Sequence, residues 1–254
     1  MDIHTPKPWR GLREFLKEYA IIVVGVLTAL AAEQSVEWLH WRHLVDEGRR
    51  DLAVSYAKIE WIASERELRS PCFGARLNEI AGALDQATKT GHLPPVGDIG
   101  APPLRLWSET EWPALVAAQT AVHFPREEAR RYSAIADYLR EIDSENNQEM
   151  ADWVTLYTIV GPGRATGEGE LSKLRSSFAS ALFHARDLRL EASEITDRIS
   201  ETHLRADEAT MKATAARIAK TRDTVRTCPP MGPAPAAYNH APLERLGLDG
   251  PLHK

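Results

Sequence analysis

The chain has 254 residues, 43% hydrophobic and 26% charged, a length and balance that support a packed core and exclude wholesale disorder. Its 31 basic against 36 acidic residues give a net charge of -5, which argues against nucleic acid as a partner. The 35 alanines, set against 5 phenylalanines and 6 tyrosines, favour helix, because alanine costs least to fix in a helix and adds little to a sheet.

The 16 prolines leave three long proline-free spans, 9–70, 126–161 and 163–228, and otherwise bunch at 94–103 and beyond 228. Helices belong in the spans, and connections and a tail in the bunches. The first span opens on YAIIVVGVLTALAA, Tyr19 to Ala32. As a bare helix this run covers about 21 Å, short of a hydrocarbon core of about 30 Å. Extended from Phe15 to Trp38 it reaches about 36 Å, with Lys17 able to snorkel and Trp38 and Trp41 suited to an interface.

Three readings compete: an uncleaved anchor, a signal peptide cut after Ala29-Leu30-Ala31, and a buried helix of a soluble bundle. Glu14 and Glu18 place acid where a signal peptide carries a basic lead, and the helical pattern runs past the cut, so the anchor is preferred. Lys7, Arg10, Arg13 and Lys17 precede the run and Arg42 alone follows it closely, which keeps the N-terminus cytoplasmic. The expected organisation is a cytoplasmic lead at 1–18, a transmembrane helix at 19–40, a helical ectodomain at 41–228 in the periplasm of a bacterial cell, and a disordered Pro-rich tail at 229–254.

The segment WRGLREFLKEYAIIVVGVLTALAAEQ, followed by VEWLHWRHLV, resembles the start of a group of uncharacterised bacterial single-pass inner-membrane proteins, domains of unknown function with an FLKE-type lead. The likeness covers roughly the first fifth of the chain. It implies an anchor and a helical ectodomain, and brings no activity or catalytic residue with it.

Glu33, Glu37 and His40 stand at i, i+4 and i+7, so one helical face at the outer end of the span bears two carboxylates and an imidazole. Glu37 and His40 have the E-x-x-H spacing of di-iron bundles, but no second copy exists to complete such a site. Polar residues where a helix leaves the bilayer are the preferred reading over a metal or proton-handling role. Gly25, Ala29 and Ala32 form a strip that permits close helix contact in an oligomer.

Beyond Trp41 the helix is expected to run to Ser70 and Pro71, with Val45, Gly48, Leu52, Tyr56, Ile59 and Ala63 on one face. A second helix is expected over Phe73 to Thr90, closed by Gly91. Residues 91–105 read as an irregular connection. Ser108 with Glu111 has the spacing of a capping box, Thr110 being a rival cap, and opens a helix to about Phe124 with Pro113 in its first turn. Pro125 starts the next, which runs to Val160 and is loosened at Asn146-Asn147. From Leu171 through Leu174, Phe178, Ala181, Ala185, Leu188, Ala192, Ile195, Ile199, Thr202, Ala206, Ala209, Ala213 and Ala216 a 3,4 alternation, polar only at Thr202, marks one long helix or a pair.

Cys72 and Cys228, each beside a proline, are the only cysteines. In an oxidising compartment they are expected to pair, with a free thiol or an intermolecular bond as alternatives. A straight helix over 171–227 would be about 85 Å long against about 45 Å for the stalk over 41–70. A break near Ser200 to His203 is therefore expected if the bond forms.

Chemistry is not legible. Gly161-Pro162-Gly163 with Gly167 and Gly169 lacks the P-loop lysine and hydroxyl, and reads as a helix-to-helix turn. The nine histidines fall in no metal or catalytic motif. No cofactor and no metal ligand is assigned. The expectation is an all-α protein, a transmembrane helix continuing into an antiparallel helical bundle, that acts as a non-catalytic interaction or scaffold protein. Its partners would be the lipid bilayer and a second copy of itself or another membrane protein. The alternatives are a ligand-binding sensor bundle, a secreted helical protein after signal cleavage, and an enzyme, which metal bound through Glu37 or His40 would revive.

Overall fold

The computed structural model describes residues 11–224, 231, 232 and 234. Five α-helices make up most of it: α1 (Leu12–Thr90), α2 (Glu111–Ala117), α3 (Arg126–Leu156), α4 (Glu168–Ser200) and α5 (Glu208–Thr224). Among the described residues the only ladder is a two-residue ribbon, β1 (His92–Leu93) antiparallel to β2 (Arg164–Ala165). The chain is all-α.

α1 is one helix of 79 residues, with Pro71 inside it. The expected division into helices ending at Ser70 and starting at Phe73 does not occur. Proline removes one helical hydrogen bond and crowds the carbonyl four residues back, but Pro71 and Glu67 both lie on the exposed side, where water can satisfy the carbonyl. Leu52, Ile59 and Ala63 before the proline and Phe73, Leu77 and Ile80 after it are all buried. Packing on one face thus carries the helix across a defect on the other. Gly91, left-handed at φ 71 and donating to the Ala87 carbonyl, ends it.

No residue from 11 to 40 is buried, and burial begins at Val45. Among the described residues α1 is the one helix long and apolar enough to cross a membrane, and none of that apolar stretch is covered by the rest of the chain.

Paired side chains give the helix directions. Arg49 meets Glu128 and Arg66 meets Glu149, so α3 runs parallel to α1. Arg66 meets the Ala185 carbonyl and Thr88 meets Arg175, so α4 runs antiparallel to it. Arg217 covers the Trp61 ring, and Met231 donates its N–H to Glu79, so α5 climbs back alongside α1. The bundle is therefore not a simple up-and-down array. The connection 91–110 returns the chain along α1 before α3 begins, pinned where Arg105 reaches Glu65 and Trp107 enters the core.

Shorter elements depart from expectation in explicable ways. Ser108 does not cap α2. The Glu109 carboxylate accepts the N–H groups of Glu111 and Trp112 instead, and Pro113 sits in the first turn as required. α2 stops at Ala117 because Gln119 is left-handed, and a 3-10 turn over Thr120–His123 follows. α3 runs through Asn146-Asn147 unbroken, since Asn146 points inward and donates to the Arg105 carbonyl. The glycine-rich loop is a helix-to-helix turn, Gly161 pairing with Val96. A Cβ at Gly163 would lie 3.1 Å from the Leu93 carbonyl oxygen, so a side chain there would crowd the ribbon's approach.

The break in the last span lies between Ser200 and Glu208, with His203 left-handed at φ 57. It resets the helical phase. Ala209, Ala213 and Ala216, expected on the packed face, are exposed, while Thr210, Thr214, Ile218 and Thr221 turn toward α1.

Pro71→Ala restores the missing N–H on an exposed face and should raise the unfolding free energy by about 1–3 kcal/mol. Thermal or urea unfolding of the detergent-solubilised chain, followed by circular dichroism, measures it.

Candidate functional site

The apolar interior is two cores. One gathers Leu52, Tyr56 and Ile59 of α1 with Ile135, Leu139 and Ile142 of α3 and Leu188, Ile195 and Ile199 of α4. The other gathers Leu77, Ile80 and Leu84 with Trp153, Leu156, Leu174 and Ala181. Every helix that crosses from one core to the other is polar at the crossing: Glu65 and Arg66 on α1, Glu145, Asn146, Glu149 and Asp152 on α3, His184, Asp187 and Glu191 on α4.

The centre of this layer is the Arg66–Glu149 pair, with side chains 7% and 0% exposed. Arg66 donates Nη1 to Glu149 Oε2 at 2.6 Å and Nη2 to Oε1 at 2.8 Å, a fork that fits a carboxylate. Nη2 also donates to the Ala185 carbonyl at 3.2 Å, and the guanidinium lies 4.9 Å from the Phe73 ring centre. The preceding residue, Glu65, accepts Nε of Arg105 at 2.6 Å and Nε of Arg69 at 3.1 Å. Burial alone would raise the Glu65 carboxyl, but the two arginines outweigh it and hold it below the usual carboxylate range.

The other half of the layer is acidic and unevenly compensated. Glu145, Asp187 and Glu191, all half-buried, each turn a carboxylate oxygen to one spot between α3 and α4, the three oxygens lying within 4.8 Å of one another. Burial, then the repulsion of Glu145, Asp187, Glu141 and Glu194, pushes the Glu191 carboxyl up to about 7. Burial and Asp187 likewise raise Glu145, opposed by His184. The His184 side chain is only 10% exposed, with Nδ1 3.7 Å from Glu145 Oε2 and Nε2 4.0 Å from Asp152 Oδ2. Glu145 Oε2, His184 Nδ1 and Glu191 Oε2 are buried atoms with no hydrogen-bond partner.

The residues singled out from the sequence lie elsewhere. Glu33, Glu37 and His40 are exposed on α1. Glu37 accepts a long hydrogen bond from Trp41 at 3.4 Å, and among the described residues no grouping of possible metal ligands includes any of the three. Cys72 is half-buried within α1 rather than at a helix end, and Cys228 lies outside the described residues. The layer itself was missed. Glu145, Glu149 and Asp152 repeat the i, i+4, i+7 spacing noted at Glu33, Glu37 and His40, and His184 and Glu191 flank Leu188 on the packed stripe. Charges interrupting an apolar stripe were the available signal.

Compared with known proteins, the chain matches no family model, no curated protein and no solved structure.

Removing one partner of the central pair leaves a buried charge alone, so Arg66→Met should destabilise the bundle by about 3–5 kcal/mol. The double change Arg66→Met with Glu149→Leu should recover most of that loss. Urea unfolding of the three proteins checks it, and equal losses in the single and double variants would contradict the assignment.

Proposed function

We propose that this is a single-pass membrane-anchored helical protein, related to the bacterial inner-membrane group it resembles, whose bundle acts by binding and not by catalysis. The observation that carries the reading is the uncovered apolar stretch of α1. In water, a face of Ile21, Ile22, Val24, Leu27 and Leu30, each at least half exposed, would be a large apolar patch, and lipid is the environment that suits a helix apolar all round. The basic residues Arg13 and Lys17 precede this stretch and support an N-terminus in the cytoplasm. Its helix continues with no interruption into the spine of the bundle, so the bundle is held at the bilayer as a rigid projection, an arrangement suited to scaffolding a second copy or another membrane protein.

An outer compartment would be oxidising and would let Cys72 and Cys228 pair. The return of the chain supports this pairing. Met231, three residues after Cys228, is bonded to Glu79, which stands about 11 Å along α1 from Cys72.

In bacterial cells expressing the chain with a C-terminal epitope, the protein should stay in the membrane pellet through an alkaline carbonate wash, and protease added to spheroplasts should destroy the epitope. A soluble product, a mass showing cleavage after Ala31, or a protected epitope would overturn the anchor.

Intact mass after alkylation should show no thiol modified before reduction and both modified after it. Modification of both beforehand would remove the bridge.

A further inference from the structure

We propose that Glu145, Asp187 and Glu191, joined by His184 Nδ1, form a binding site for one first-row divalent cation of the Zn²⁺ or Mn²⁺ type between α3 and α4.

The geometry carries this. Three carboxylates from two helices converge with oxygens within 4.8 Å of one another. Two turns of α4 supply His184, Asp187 and Glu191, while α3 supplies Glu145, so the donors come from helices whose spacing is already fixed by the two cores. The second observation concerns the adjoining imidazole. His184 is nine-tenths buried, its Nδ1 has no hydrogen-bond partner, and that nitrogen faces Glu145. Buried polar atoms are as a rule paired, and the lapses on Glu145 and Glu191 within the convergent set, with a third on His184 Nδ1 adjoining Glu145, point to a ligand seated among the acids within reach of the imidazole.

Three carboxylates turned to one spot are best matched by a cation. The nearby arginines are engaged, Arg66 by Glu149 and Arg198 by Glu194. An ion would accept oxygen from each acid and nitrogen from His184, a mixed set that suits Zn²⁺ or Mn²⁺ better than the all-oxygen preference of Mg²⁺ or Ca²⁺. Asp152, beside Nε2 of the same ring, stands where an outer carboxylate orients a metal-bound imidazole. Since the carboxylates are half-buried and not sealed, an ion can enter from solvent. The site stands apart from the apolar stretch of α1, so its success or failure is separate from that of the membrane reading.

The test uses the full chain in detergent, stripped with a chelator and titrated with Zn²⁺ or Mn²⁺, with Mg²⁺ and Ca²⁺ as comparisons. Calorimetry should give one ion per chain, and saturating Zn²⁺ should raise Tm by about 5 °C or more. Asp187→Asn and Glu191→Gln should each weaken binding at least tenfold, and Glu191→Gln, which relieves repulsion, should fold at least as well as the parent without metal. His184→Gln should weaken Zn²⁺ specifically, while the exposed control Asp197→Asn should bind as the parent does. Absence of any shift, a shift retained in both carboxylate variants, or equal response to Ca²⁺ and Zn²⁺ would overturn the proposal.

Discussion

The bundle is organised around the need to pair Arg66 with Glu149. A charge so deep in a helical interior is tolerated only when it is paired and most of its hydrogen bonds are made; here the fork and the Ala185 carbonyl engage both Nη atoms and the Phe73 ring packs on the guanidinium, while Nε alone has no partner among the described residues. That requirement fixes the relative height of α1, α3 and α4 more sharply than apolar stripes can, because leucine, isoleucine and alanine faces allow neighbouring helices to slide by a turn at modest cost. A slip of one turn would strand both charges. The two cores on either side then have only one register in which to fill.

The same layer explains why the connection 91–110 takes its long route. Leu93, Val96 and Ile99 first join the second core, and then Arg105 completes the compensation of Glu65 and its carbonyl accepts from Asn146. Trp107 and Trp112, two residues with large buried surfaces, then insert on the far side of that contact. Irregular backbone is thus held by side-chain contacts in place of ladder hydrogen bonds, and α3 can start parallel to α1.

Much of the architecture was legible from residue spacing. The stripe on α1 from Val45 to Ala63 and the stripe on α4 from Leu174 to Ile199 follow from apolar periodicity, whereas the break after Ser200 was expected only from the length mismatch that a Cys72–Cys228 bond would impose. Three features were not. Pro71 looked like a boundary because a sequence does not reveal which side of a helix faces water. The alanines of α5 looked like a continuation of the stripe because the turn at His203 alters phase without altering spacing. The acidic site was hidden because Glu145 and His184 are about forty positions apart and acquire meaning only when α3 and α4 lie side by side. The glutamates at Glu33 and Glu37 drew notice because they were close in sequence, yet proximity along one helix left them exposed.

The unbroken length of α1 has a mechanical consequence. A helix of 79 residues is a rod of about 120 Å, and the polar layer at Arg66 stands roughly 40 Å along it from His40. With no joint between these points, a rocking of the apolar end by one degree would displace the layer sideways by somewhat less than 1 Å. Loading or unloading charge between α3 and α4, conversely, would act on a shaft whose other end is the apolar stretch, so the two ends of the molecule share a single lever.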